Sequence, residues 1–277
     1  MRVTPLTGKI GADVHGLDLS QPLDAKVHAS VHAALLEHQV LFFREQKLLS
    51  VERHKALAGS FGELEIAPFL HDASDPTVML LDQSDPAGSQ AANFHADNTF
   101  RPHPPMGAFL QAHQLPGAGG DTCFASMPAA YEALSLRMKA YLEGLEAWHS
   151  LAQMAARLAS HGLKTLHTMA DYPPIRHPVI ATHPETGRKL VNVNYNWTTE
   201  IAGLPPAESR MLLDFLYQHI KSPEFQVRLH WHEGDVAFWD NRAVQHYAVP
   251  DWTGRRVMQR VAIAGATLAA SAPPRCD

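Results

Sequence analysis

The spacing of apolar positions predicts a chain whose helices come early and whose strands come late. Residues 24–38 (DAKVHASVHAALLEH) place Val27, Val31, Ala34 and Leu35 on one side, the period of an amphipathic helix. The apolar run Gln39–Phe43 follows as a buried strand. A second helix is expected from Ser50, an N-cap residue, to about Ser60. Residues 77–82 and 106–114 read as strands, with a polar loop at 83–93 between them. LPGAGGD is a Gly-rich turn into a short strand at 121–125, and Ser126 with Pro128 opens a helix to about Glu143. Residues 150–175 read as a loose helix and then a loop. PVIATHPETGRKLVNVN reads as a hairpin, and 205–221 as a helix with prolines in its first turn. The last third carries the strands FQVRLHW, DVAFWDN, QHYAV and RRVMQRVAIAG.

This order lacks the regular βα alternation of a parallel doubly wound sheet. It predicts mostly antiparallel sheets with helices outside, a sandwich or barrel able to enclose a small-ligand cavity. The final strand is the most informative segment. Side chains alternate across a strand, so Arg256, Met258 and Arg260 share one face while Val257, Val261 and Ile263 share the other, with Gln259 the exception. The two arginines stand about 13 Å apart along the strand. Facing inward, they require two anionic partners.

Composition narrows the class. The 277 residues are 45% hydrophobic, enough for a substantial core. The net charge of -5 and pI near 6.4 speak against nucleic acid as a partner. The two cysteines, Cys123 and Cys276, form no CxxC motif and suit a reducing compartment. The N-terminus has no signal-peptide core, and no apolar run reaches the roughly 18 residues of a membrane span. The expectation is a soluble, cytoplasmic chain that contacts neither membrane nor nucleic acid.

Candidate chemistry centres on His95-Ala96-Asp97. A His-x-Asp can aim an imidazole nitrogen and a carboxylate oxygen at one ion, and a second His from a distant strand completes a facial triad. Two His and one carboxylate leave coordination positions open, the arrangement of non-haem Fe(II) oxygenases. His-x-Asp alone is a weak signal in a chain with 18 histidines. Its context strengthens it. Phe94 and Phe100 flank it, and WDNRAVQHY places His246 just after an apolar strand. Arg256, ten residues on, can hold the far carboxylate of 2-oxoglutarate bidentately, and Thr122 after the Gly-Gly turn can share it.

The chain resembles the taurine/2-oxoglutarate dioxygenase family, which includes aryloxyalkanoate dioxygenases and alkylsulfatases. The matching blocks are PLTGKIGADVHGLDLSQPL, HQVLFFREQ, FGEL, NFHADNTFRPHPP, LPGAGGDTCFAS, YEALS, THPETGR, FQVRLHW, GDVAFWDNRAVQHYAVPD and RRVMQRVAI. They run in order from about residue 4 to about residue 265. The resemblance implies one dioxygenase domain over 1–277 with a double-stranded β-helix (jelly-roll) core, a mobile loop near 83–93 and an insert near 150–175 over the site. It implies Fe(II) on His95, Asp97 and His246, 2-oxoglutarate on Thr122 and Arg256, and the acid group of the substrate on Arg260. Asn98, Phe100, Trp197 and Gln90 fall where the substrate is expected. Members form dimers or tetramers, so the resemblance implies a homodimer or homotetramer. Where taurine-specific members carry a His and a Tyr after FGEL, this chain has Ala67 and Leu70. Their Asp-Asn pair becomes Gln90-Ala91.

The expected activity is therefore hydroxylation of a small anionic substrate other than taurine, an alkylsulfonate, alkyl sulfate or carboxylate, with release of succinate and CO2. Rival readings are an aryloxyalkanoate dioxygenase on the same scaffold, a metal hydrolase using the same triad, and a non-enzymatic anion-binding module. Arg260 has a rival role too, pairing with a buried carboxylate such as Asp251. Trp197 and Phe100 are equally suited to a plain core, and Asn98 to capping the turn.

Overall fold

The computed structural model describes residues 1–67, 75–84, 93–160 and 170–270. Leu70, Gln90, Ala91, Cys276, most of the 83–93 loop and part of the 150–175 segment lie outside the described residues.

The core is a jelly roll. Its larger sheet has seven strands, in the order Arg2–Pro5, Ala12–His15, Val40–Phe43, Val236–Asp240, Gly107–Gln114, Arg256–Ile263 and Val78–Gln83. The facing sheet has three, in the order Gln226–Leu229, Thr122–Ser126 and Val244–Ala248. Among the described pairs, only Ala12–His15 with Val40–Phe43 runs parallel. Phe42, Leu110, Phe124, Leu229, Trp239 and Met258 fill the space between the sheets.

The outer face of the large sheet is covered by two helices. Ala25–His38 is capped by Asp24, whose side chain accepts from the Val27 amide, and it buries Val31, Ala34 and Leu35. Val51–Gly59 is capped by Ser50 and buries His54, Leu57 and Ala58. These meet Phe43, Phe109, Phe238, Val261 and Ile263. Phe109 and Phe238 are cross-strand partners whose rings stack at 3.9 Å. Such a pair contributes about 1 kcal/mol beyond its buried area. The other flank, with Pro206–His219 and Met127–Ala133, packs on the outer side of the small sheet.

The strand parity holds, and the Gln259 exception has a cause. Gln259 lies on the outer face, where its Oε1 accepts from Nδ1 of His54 at 2.8 Å. A polar residue therefore survives under the helix because a buried imidazole satisfies it. The single helix expected from Ser126 to Glu143 is instead two, Met127–Ala133 and Leu136–Leu142. Leu134 takes an extended conformation, and the Ser135 side chain caps the second helix by accepting from the Met138 amide. Among the strands unread in the sequence are Glu146–His149 and Thr198–Ile201, which pair with each other. Cys123 is a free, buried thiol. Among the described residues, no helix is long and apolar enough to cross a membrane.

Candidate metal centre

His95, Asp97 and His246 converge. One ligand atom from each lies within 4.8 Å of the other two. His246 sits mid-strand in Val244–Ala248 opposite Phe124. His95 is bridged to it by two backbone hydrogen bonds, of 3.1 and 2.9 Å. Register thus brings together imidazoles 151 residues apart, with ring centroids at 4.5 Å. Nε2 of His95 lies 3.6 Å from Asp97 Oδ1, and Nε2 of His246 lies 3.8 Å from Asp97 Oδ2.

The surroundings prepare these atoms for a cation. Nδ1 of His95 donates to the Asn93 carbonyl at 2.7 Å. A carbonyl only accepts, so the lone pair of His95 is fixed on Nε2. Burial pushes the His246 imidazole down to about 3, against the pull of Asp97, so it stays neutral. Burial alone would raise Asp97. The Arg260 guanidinium and the two imidazoles overcome that and hold it far below the ordinary carboxylate range. Two imidazole nitrogens and one carboxylate oxygen within coordinating reach fit a divalent transition metal.

The turn that carries Asp97 is clamped. Asn241 Oδ1 accepts from the Asp97 amide at 2.7 Å, and its Nδ2 donates to the Asp97 carbonyl at 3.1 Å. Trp197 Nε1 donates to the Ala96 carbonyl at 2.9 Å. Trp239 and Phe124 flank the His246 ring, with centroids at 4.7 and 5.9 Å. Asn241, Trp239 and Phe124 were missed in the sequence. Asn241 stands in the quoted WDNR block, and its place directly after a buried strand was the available signal.

Arg256 is 3% exposed and faces inward, on the same side of its strand as Met258. Its Nε donates to the Gly120 carbonyl at 3.2 Å, and its guanidinium lies over the Trp252 ring. Among the described residues, no carboxylate pairs with it. Burial lowers it to about 10, and Asp121 only partly offsets that. Asp121 is itself held by Arg228 at 2.6 Å and His230 at 2.8 Å. The Gly-Gly turn makes this approach feasible. Gly119 and Gly120 have φ of 78° and 75°, and a Cβ on Gly120 would meet Arg256 Cδ and Nε at 3.1 Å. Thr122, two residues on, is buried and accepts from Trp231 Nε1 at 2.9 Å, which leaves its hydroxyl proton to donate.

The rival role read for Arg260, an ion pair with a carboxylate, is found, with Asp97 in the place of Asp251. Its Nη2 donates to Asp97 Oδ2 at 2.7 Å. Asp251 is engaged by Arg228 and the Gly120 amide. Asn98 is buried at φ 51°, and its amide nitrogen is directed at both oxygens of Glu65 at 3.2 and 3.3 Å. Phe100 and Trp197 are buried, 4.7 Å apart, in a cluster with Leu151 and Met154 that packs against the turn. Ala67 is half-buried.

A jelly roll with this donor set inside it is the framework of a metal-dependent oxygenase. The family model described as taurine catabolism dioxygenase TauD, TfdA family, matches residues 2–262. An alkylsulfatase of Acinetobacter baylyi is 35% identical over 276 residues, spanning 96% of this chain and 85% of that protein. A (S)-phenoxypropionate/alpha-ketoglutarate dioxygenase of Sphingobium herbicidovorans is 36% identical, spanning 95% and 94%. The crystal structure of AAD-2 in complex with Mn(II) and N-oxalylglycine superposes with a TM-score of 0.83 at 28% identity, over 96% of this chain and 98% of that one. The chain belongs to the TauD/TfdA family. It is an alpha-ketoglutarate-dependent dioxygenase, with 2-oxoglutarate as its cosubstrate.

Proposed function

We infer that the protein binds Fe(II) through His95, Asp97 and His246 and hydroxylates a small organic acid other than taurine. Alkyl sulfates, alkylsulfonates and aryloxyalkanoates are the classes its relatives' names point to. The observation that carries the reading is the convergence of the three ligand atoms within 4.8 Å, with the lone pair of His95 fixed on Nε2.

With 2-oxoglutarate, bound ferrous ion supplies the oxidising chemistry that places one oxygen atom of O2 in a substrate C–H bond and the other in succinate, with loss of CO2. The chain's own residues position and exclude. Arg256 receives the far carboxylate of 2-oxoglutarate, and the Thr122 hydroxyl donates to the same group. That gives the buried guanidinium the anion it lacks among the described residues. Arg260 receives the acid group of the substrate. Asn241 and Trp197 hold the Asp97 turn so that the carboxylate keeps its place through turnover. Phe124 and Trp239 keep water from the His246 side. The resemblance sets Ala67 where taurine-specific relatives carry a His, and the smaller side chain suits a bulkier apolar body better than an aminoethyl group.

Two measurements test this. Anaerobic Fe(II) and 2-oxoglutarate together should give a visible charge-transfer absorption that neither gives alone; a hydrolase using the same triad would give none. A panel of taurine, hexanesulfonate, hexyl sulfate and phenoxypropionate, scored by stimulated 2-oxoglutarate consumption, should favour the acids with apolar bodies. Preferential turnover of taurine would overturn the substrate reading.

A further inference from the structure

Arg260 touches the metal ligands and has bonding capacity left over. Its Nη2 donates to Asp97 Oδ2, with the two side chains only 11% and 14% exposed. The same oxygen lies 3.8 Å from His246 Nε2, on the side where the ligand atoms converge. The Arg260 Nε is buried and has no acceptor. Glu65 lies close enough to act on Arg260 electrostatically, but Asn98 and Arg101 already engage its oxygens. The guanidinium is therefore bonded to the carboxylate ligand through Nη2 and has an N–H at Nε without an acceptor.

Two effects follow from a fixed cation at this position. It draws charge from the carboxylate that a metal ion would share, and it repels a divalent cation placed beside that carboxylate. For an ionised Asp97, which Arg260 itself helps to keep ionised, both weaken metal binding. Both shrink when an anion sits on the guanidinium. We propose that Arg260 couples the metal centre to the acid group of the substrate: its charge opposes a divalent cation at His95, Asp97 and His246 until an anion offsets it, so that metal and substrate each tighten the other's binding. The coupling is reciprocal, since whatever factor the anion contributes to metal affinity the metal contributes to anion affinity. It rests on the reading of Arg260 as receptor for the substrate's acid group. A purely structural role predicts the opposite sign, because loss of the 2.7 Å contact would loosen Asp97 and weaken the metal.

The test uses the full chain, Mn(II) as the probe metal and hexyl sulfate as the probe anion. Free Mn(II) is read by its electron paramagnetic resonance signal in the wild type, Arg260→Gln and Arg260→Lys, with circular dichroism confirming that each is folded. Arg260→Gln is expected to bind Mn(II) about tenfold more tightly than the wild type. Arg260→Lys, which keeps the charge, should stay near the wild type. Saturating hexyl sulfate should tighten Mn(II) binding by about the same factor in the wild type and leave Arg260→Gln unchanged. Equal or weaker Mn(II) binding by folded Arg260→Gln overturns the proposal. If hexyl sulfate binds the wild type in preference to Arg260→Gln yet leaves Mn(II) affinity unaltered, the coupling is wrong and the anion receptor stands. If hexyl sulfate does not distinguish the two proteins, the receptor assignment fails, and the coupling with it.

Discussion

Asn241 grips the backbone of Asp97 from both sides, accepting from its amide at 2.7 Å and donating to its carbonyl at 3.1 Å. The same Nδ2 lies 3.2 Å from the Pro105 carbonyl. One side chain at the end of Val236–Asp240 thus fixes the carboxylate-bearing turn against the large sheet. Asn241→Ala removes both contacts and leaves buried backbone groups unpaired, a cost of about 1–3 kcal/mol. Metal affinity is expected to fall about 10- to 100-fold, as for other losses of a ligand's supporting contacts. Isothermal titration with Mn(II) reads the second effect and urea unfolding the first. A variant that unfolds more easily but binds Mn(II) like the wild type would show that the clamp serves stability alone.

Arg256 is a buried cation without a carboxylate among the described residues, so it burdens the unliganded fold. Arg256→Met should raise the melting temperature of the protein alone while lowering its affinity for 2-oxoglutarate by about 100-fold or more, since a charged, hydrogen-bonded partner is lost. Added 2-oxoglutarate should stabilise the wild type and leave the variant's melting curve in place. A drop in melting temperature for Arg256→Met would mean that the guanidinium is already satisfied within the fold.

His54 gives the stability a pH dependence of definite sign. Burial pushes its imidazole down to about 4, while the unfolded chain returns it to near 6.5. Between those values the unfolded state binds the extra proton, so stability is intact above about 6.5 and declines as pH falls toward 4, by about 3 kcal/mol for this one group. The buried His149 and His177 are shifted the same way by burial and steepen the decline. His54→Leu should flatten the profile, at a cost of about 1–3 kcal/mol at pH 7.5 because Gln259 Oε1 loses its donor. Urea midpoints from pH 4.5 to 7.5 decide it, and an unchanged slope in His54→Leu would place the titration elsewhere.

Much of this was legible in the sequence because its logic is local or periodic. Alternation along Arg256–Ile263 put both arginines on one face, which the fold turns inward, and Gln259, which broke the pattern, found its explanation in an imidazole from a helix about 200 residues earlier. The His-x-Asp turn and His246 could be named from residue type and context. Their proximity could not, because it depends on the pairing of His95 with His246, a fact of register. For the same reason the sequence could offer Asp251 only as an example of a carboxylate for Arg260: Asp97 and Asp251 are equally acidic in sequence, and only the fold puts Asp97 beside the guanidinium. The break at Leu134-Ser135 was missed because apolar spacing continued across it. A serine that caps a new helix outweighed that spacing.

The central claim is that one divalent cation sits among His95, Asp97 and His246 with Arg256 holding the far end of the cosubstrate. A crystal structure with Mn(II) and N-oxalylglycine tests both parts at once. The expected result is an anomalous peak bonded to Nε2 of each imidazole and to an Asp97 oxygen, with the distal carboxylate of N-oxalylglycine on Arg256. A peak bound by other side chains, or an inhibitor carboxylate turned away from Arg256, would contradict the account.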